Sequence, residues 1–204
     1  LGISDETLPN DPEPIGRYNV APGTKVLLLN QRDGHIFLDP VHWGYAPVWW
    51  QKHPLINAKS ETAASSRMFK PLWDGGRALV MADAWYEWKN EGKGKQPYYI
   101  QHKSKSPIFL ACIGKAPFDN GSQEEGFLVL TTASKGSLAD IHNRMPVVFT
   151  KDAALAWMNE DADGADATEI VNDGAVDSDE FIWHQVGKAV GNIKNQGPDL
   201  IDEV

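Results

Sequence analysis

The feature that most constrains what this chain can fold into is a series of apolar runs of strand length. Residues 77–82, 97–101, 107–114 and 126–132 are each too short for a typical helix, and several are apolar on both sides, as strands covered on two faces are. Residues 24–29 form another such run. Arg32-Asp33-Gly34 supplies a turn, and residues 35–39 read as the hairpin partner. Residues 41–45 are aromatic-rich and read as extended, and residues 181–186 alternate apolar and polar as a late strand. Helices are fewer. Ser60 is placed to cap a helix through Phe69 that stops before Pro71, Thr150 to cap residues 151–159, and residues 165–172 form a short helix ending near Gly174. Strands and helices mix without βαβ alternation, so the expected class is α+β, an irregular β-rich core with a few peripheral helices. No repeat or low-complexity linker interrupts the 204 residues, and one domain over 1–204 is expected.

Taken alone, a net charge of −9 argues against a nucleic-acid partner. Its distribution changes that. Residues 151–204 carry 3 basic and 13 acidic side chains, whereas residues 1–150 carry 16 basic and 15 acidic, so a modest cationic groove remains open to the main body. No stretch approaches the ~20 apolar residues of a membrane span, and no basic-then-apolar leader opens the chain. Cys112, the single cysteine, lies in the apolar run Ile108-Phe109-Leu110-Ala111-Cys112-Ile113 and reads as a buried, inert thiol. An internal disulfide and a cysteine-rich zinc site are excluded, which fits a reducing, cytoplasmic setting. The histidines at 35, 42, 53, 102 and 184 show no paired ligand spacing, and Asp161-Ala162-Asp163-Gly164 lacks the remaining ligands of a calcium loop, so neither metal nor cofactor is expected. Residues 89–95 read as a polar, glycine-rich loop without Walker spacing.

Three polar residues sit in apolar company. Glu87 lies inside Trp85-Tyr86-Glu87-Trp88. Buried, it would hold its proton more tightly and serve as an acid or base near neutrality; on an alternating strand it would point to solvent instead. His142, in Ile141-His142-Asn143-Arg144-Met145-Pro146, is either a proton shuttle or a structural or exposed ring. Asn57 follows Leu55-Ile56 and precedes Ala58. Trp49-Trp50, with Trp43 and Pro47 before them and Lys52 after, either pack on the core or leave one ring free to stack on a base.

Together these segments resemble the SOS-response-associated peptidase family of abasic-site processing proteins, with bacterial members nearest. The stretches that carry the resemblance are Arg17-Tyr18-Asn19-Val20-Ala21-Pro22-Gly23, Trp43-Gly44-Tyr45-Ala46-Pro47 with Trp49-Trp50, and Ile56-Asn57-Ala58-Lys59-Ser60-Glu61-Thr62. Ala84-Trp85-Tyr86-Glu87-Trp88, the segment around His142, and Val190-Gly191-Asn192-Ile193-Lys194-Asn195 complete them. The likeness runs from about Asp11 to near the end, and implies a bifurcated or barrel-like mixed sheet. Family members begin Met-Cys-Gly-Arg, and loss of the methionine exposes the cysteine. This sequence opens Leu-Gly-Ile-Ser-Asp-Glu-Thr, which reads as the continuation of something already under way, with about 20 residues expected before Leu1. Lys59 stands where arginine is common, which keeps the charge and loses the bidentate fork.

The resemblance implies capture of abasic sites in single-stranded DNA. An N-terminal cysteine attacks the opened sugar aldehyde through its amine, then closes a thiazolidine through its thiol. In this scheme Glu87 deprotonates the amine and shuttles protons, His142 is acid and base for sugar opening, and Asn57 fixes the geometry. Lys59, Arg67 and Arg144 meet phosphates, Asn19, Pro22 and Thr131 line the strand's path, and Trp49 and Trp50 block a continuing duplex. The same groups would release the initiator methionine, whereas a chain without the cysteine would bind but not cross-link. A monomer, associated with the nucleoid when on DNA, is expected. The alternative is a non-covalent single-strand-binding module, which needs the cations and tryptophans but neither Glu87 nor His142. A generic hydrolase is the third reading, with no complete triad in view.

Overall fold

The structure, a computed structural model, describes residues 16–92, 94–115 and 125–204. The opening residues 1–15, which include Asp11, and Lys93 of the expected 89–95 loop lie outside them. Every apolar run singled out above is a strand. β1 (Lys25–Arg32) and β2 (His35–His42) form the expected hairpin, turning at Asp33 and Gly34, both in the left-handed region. β3 (Asn57–Lys59) follows, then β4 (Arg77–Ala82), β5 (Ala84–Glu91), β6 (Gly94–His102), β7 (Ile108–Lys115) and β8 (Gly126–Ala133). β9 (Arg144–Pro146), β10 (Val148–Phe149) and β11 (Phe181–Gln185) complete the strands among the described residues. The fold is mixed α+β. One sheet runs β2-β1-β4-β7-β8-β3, with β9 added to β8 and β10 to β7, and a smaller one runs β11-β6-β5.

The large sheet forks. β7 pairs with β8 from Cys112↔Val129 to Lys115↔Gly126, then the two part. β8 goes on to pair with β9 (Thr131↔Pro146 to Ala133↔Arg144) and β7 with β10 (Leu110↔Val148, Phe109↔Phe149). Val147 sits in the crotch. Its N–H donates to Leu130 O at 2.8 Å and its carbonyl accepts from Ala111 N at 2.9 Å, so a fully buried point keeps its backbone paired. On its other edge β8 takes β3 in parallel, Asn57↔Val129 to Lys59↔Thr131. Just upstream, Gly44 N–H donates to Phe127 O at 2.9 Å. The approach is so close that a Cβ on Gly126, at φ +147, would lie 2.2 Å from the Gly44 carbonyl oxygen.

Three layers of apolar contact hold the sheets. On one face of the large sheet, α2 (Lys70–Gly75), α3 (Lys151–Met158) and α4 (Gly164–Gly174) cover Leu29, Leu79, Ala111, Ile113, Leu128 and Leu130. Trp73 and Trp157 meet edge to face there, 5.3 Å between ring centres, a geometry that contributes about 0.5–1.5 kcal/mol beyond burial. The other face, with Val80, Cys112 and Val129, receives Tyr98 and Ile100 of β6 in the small sheet. That sheet's far side holds Tyr86 and Tyr99 against Val186, Val190 and Leu200. One residue, Asp83, separates β4 in the large sheet from β5 in the small one. Among the described residues no helix is long and apolar enough to cross a membrane.

Helix α3 starts as expected, with Thr150 Oγ1 accepting from Ala153 N; α4 starts one residue before the expected 165, on a reciprocal capping box of Asp163 and Asp166 that no expectation named. Two expectations are corrected. The helix expected from Ser60 to Phe69 is a single turn, α1 (Ser60–Ala63), preceded by Lys59 with no side-chain cap. Ser65 Oγ donates to Thr62 O at 3.2 Å, competing with continuation, and α2 restarts with Pro71 in its first turn, where a missing N–H costs nothing. Residues 89–91 and 94–95 are not in a loop either: β5 runs to Glu91 and β6 resumes at Gly94, with Gly92 at φ +58 favouring the reversal.

Arg77, at the start of β4, fastens the helical layer. All five of its N–H groups are used. Nε donates to Trp157 O, Nη1 to the carbonyls of Trp73 and Asp74, and Nη2 to those of Asn159 and Ala162, at 2.6–3.0 Å. The guanidinium thus satisfies the carbonyl ends of α2 and α3 at once, where the helix dipoles favour a cation. Lysine has three donors and no fork. We expect Arg77→Lys to lower unfolding stability in urea by about 2–4 kcal/mol, because buried carbonyls lose their donors; a loss below about 1 kcal/mol would contradict this account of the helical layer.

Candidate functional site

β8 brings the predicted site residues together through its neighbours. Paired residues project from the same face of a sheet. The pairings of β3 and β9 with β8 therefore put Asn57, Lys59, Thr131 and Arg144 on the face that carries the small sheet. Side chains confirm the contact: Arg144 Nη2 donates to Thr131 Oγ1 at 3.1 Å and to Thr131 O. Asn57 and Lys59 are exposed, and neither side chain makes a hydrogen bond or ion pair among the described residues.

Glu87 enters from the other sheet. Trp85 and Glu87 share a face of β5, opposite Ile100 and Tyr98, which lie in the apolar layer between the sheets. The two readings left open by the sequence are resolved halfway. Glu87 is on an alternating strand, yet its side chain faces inward and is only 21% exposed. Its Oε2 lies 3.7 Å from His142 Nδ1. Burial raises the carboxyl above the ordinary carboxylate range; the nearby His142 and the Trp88 backbone N–H pull it down without offsetting that. His142 is 42% exposed, so one ring edge meets the carboxylate while the rest meets solvent.

The histidine is held by a single residue's backbone. Arg144 N–H lies 3.2 Å from Nδ1 and Arg144 O lies 2.9 Å from it. An unprotonated Nδ1 can accept from the amide, and a protonated one can donate to the carbonyl. The ring can therefore take up or release a proton without leaving its seat, which suits a shuttle. Arg144 in turn is clamped by Glu61: Nη1–Oε1 is 2.7 Å and Nη2–Oε2 is 2.9 Å. This pairing was not foreseen. Glu61 lies in a segment that drew attention for Asn57 and Lys59, but its partner is 83 residues away and no local pattern announces it.

The other predicted residues are more scattered. Pro22 is exposed in a turn with Gly23 at φ +84. Asn19 is buried. Its amide nitrogen bonds to the carbonyls of Val190, Asn192 and Asn195 at 3.0–3.3 Å, so it fastens the C-terminal segment, and any part it has in a ligand's path comes through that segment. Trp49 is 64% exposed and meets Trp50 edge to face at 6.0 Å, while Trp50 Nε1 donates to His53 O and Lys52 Nζ lies 5.5 Å from its ring. Arg67 is exposed. No hydrogen bond or ion pair among the described residues links Arg67 or the two tryptophans to Glu87 or His142. Trp88, next to Glu87 and also exposed, was not singled out from the sequence. Cys112 is wholly buried, and burial pushes its thiol far up, so it is no nucleophile. No group of three or more potential metal ligands occurs among the described residues.

A raised carboxyl weakens the fold when it ionises: stability is full below the ordinary carboxylate pKa and falls as pH rises through the raised one. We expect Glu87→Gln to unfold at a higher temperature than the parent chain near pH 8, with the difference vanishing by about pH 4. Equal melting temperatures at both pH values would show that Glu87 is not desolvated.

Residues 4–193 match the family described as SOS response associated peptidase (SRAP). The chain is 57% identical over 200 residues to the abasic site processing protein YedK of Escherichia coli, covering 98% of this chain and 90% of that protein. It is 29% identical over 191 residues to the abasic site processing protein YoqW of Bacillus subtilis, covering 91% and 85%. Among solved structures it is similar to a phage-related protein of Bordetella bronchiseptica, with TM-score 0.74, 33% identity, and coverage of 88% and 86%. A family match over most of the chain, together with 57% identity to one such relative, shows that this chain belongs to the SRAP family.

Proposed function

We propose that this protein processes abasic sites in single-stranded DNA, with Glu87, His142 and Asn57 as the catalytic set. The observation that carries the reading is the Glu87–His142 contact at 3.7 Å, lying between the two sheets on the face that also bears Asn57, Lys59, Thr131 and Arg144. Relatives described as abasic site processing proteins support it. The attacking residue in this reading is the N-terminal cysteine of the Met-Cys-Gly-Arg start that the family resemblance implies.

The chemistry follows from the groups present. Glu87, with its raised proton affinity, takes a proton from the cysteine α-ammonium. The amine adds to the C1′ aldehyde of the ring-opened sugar, and His142 delivers the proton that lets the resulting hydroxyl leave as water, giving an imine. The thiol sulfur then adds to the imine carbon, its proton moves to the nitrogen, and a thiazolidine closes. The carboxamide of Asn57, without a hydrogen bond among the described residues, orients the sugar or the cysteine. Lys59, Arg67 and Arg144 meet phosphates, and Trp49 and Trp50 stand where a duplex would otherwise continue. Removal of the initiator methionine uses the same carboxylate and imidazole. The protein acts as a monomer.

A chain that carries the family's Met-Cys-Gly-Arg start with its connecting residues should form a heat-stable adduct with an abasic single-stranded oligonucleotide, and the same chain with that cysteine changed to alanine should form none. Glu87→Gln and His142→Ala should each slow adduct formation by about 100-fold. A folded, methionine-free protein that forms no adduct would overturn the reading, as would an adduct through Cys112. Unchanged DNA capture in both variants would favour a non-covalent module built on the exposed Trp49 and the cations.

A further inference from the structure

The proposed phosphate contact at Arg144 is already filled. A guanidinium can grip a phosphate with two parallel N–H bonds only along an edge where two donors are free. On Arg144 one such edge, Nη1/Nη2, is held by Glu61 at 2.7 and 2.9 Å. On the other, Nε is buried without a hydrogen-bond partner among the described residues, and Nη2 is engaged by Thr131 as well as Glu61. The edge that can reach solvent is therefore the one that Glu61 covers.

We propose that Glu61 is an internal stand-in for a DNA phosphate, seated on Arg144 in the unbound protein and displaced when the strand binds. This rests on the reading of Arg144 as a phosphate contact and adds to it a competitor within the chain. A carboxylate and a phosphodiester each bear one negative charge and offer two oxygens to the same fork. Glu61 is suited to leave: its side chain is 47% exposed, against 22% for Arg144, and it sits on the one-turn helix α1, so releasing it breaks little else. Arg144 keeps its place meanwhile through Thr131 and the strand pairing of β9. The hydrogen bonds from Arg144 hold the Glu61 carboxyl below its ordinary range, so it is ionised, and competing, throughout the neutral region.

The exchange also reaches the proton-transfer pair. The residue whose side chain gives up Glu61 is the one whose backbone N–H and carbonyl hold His142 Nδ1. An occupied phosphate seat would thus brace the histidine's support while the strand is in place, and a protein off DNA keeps the seat neutralised. The pairing lowers affinity for any strand, lesion or not, since the carboxylate must be removed first.

The test uses a fluorescent single-stranded oligonucleotide without a lesion, so that binding is read apart from covalent chemistry. The proteins are the full chain, Glu61→Gln, Glu61→Ala, Arg144→Ala and the double variant Glu61→Gln/Arg144→Ala. Anisotropy titrations should show Glu61→Gln and Glu61→Ala binding about 3- to 10-fold tighter than the parent, with the gain from Glu61→Gln lost in the Arg144→Ala background. A Glu61 variant that binds equally or more weakly would overturn the proposal, because the carboxylate would then position Arg144 rather than block it. A gain that persists without Arg144 would overturn it too, as a plain effect of net charge. If Arg144→Ala binds like the parent, the reading of Arg144 as a phosphate contact has failed, and the stand-in with it. If Arg144→Ala weakens binding while the Glu61 variants do not tighten it, that reading survives and only the stand-in is lost.

Discussion

The fork between β7 and β8 is the constraint on which the site depends. Two strands that begin side by side separate after Cys112↔Val129, and Val147 fills the crotch with its backbone bonded to both arms. Without an inserted segment, the inner edges of both arms would carry buried, unpaired amides and carbonyls, which no fold of this size can sustain at several positions. The insertion serves the backbone and, in doing so, delivers β9 to the end of β8. That is what sets Arg144 beside Thr131 and His142 just beyond it. β3, docking in parallel on the opposite edge, delivers Asn57 and Lys59 by the same rule of pairing. These two registers hold the candidate site residues in place.

Glu87 reaches the site by a second route. Because only Asp83 separates β4 from β5, the chain leaves the large sheet and enters the small one almost without a break. The carboxylate therefore comes from a rigid hairpin facing the forked sheet, and its desolvation follows from two sheets closing on it. Its proton affinity is a product of packing, with Trp85 and the Tyr98–Ile100 side of β6 as walls.

Much of this was legible in the sequence. Short apolar runs gave the strands of the large sheet, since a run of six to eight apolar residues has few other ways to be buried, and Thr150 announced its helix by the chemistry of its hydroxyl. Of the segments that drew attention, those of Glu87 and His142 meet at 3.7 Å, and that of Asn57 pairs with the neighbouring strand β8. What stayed hidden depends on contacts between distant residues. A carboxylate in an alternating strand can face either way, and only the second sheet decides that Glu87 turns inward. Asn19 was expected to line a strand's path, but residues some 170 positions later supply the carbonyls that bury its amide. The ion pair of Glu61 with Arg144, and the break in the helix after Ala63, are equally matters of what the fold brings alongside.

Arg77 has a consequence of its own. No carboxylate oxygen touches this buried cation among the described residues; its neutralisation comes from five carbonyl dipoles, four at the ends of α2 and α3 and the fifth in the turn before α4, with Asp74, Asp163 and Asp166 acting only from farther off. Dipoles neither titrate nor attract the ions that screen a surface charge pair. The knot between α2, α3 and the forked sheet is therefore built to persist in brine and in mild acid alike, conditions under which ordinary ion pairs on the outside of the molecule fade.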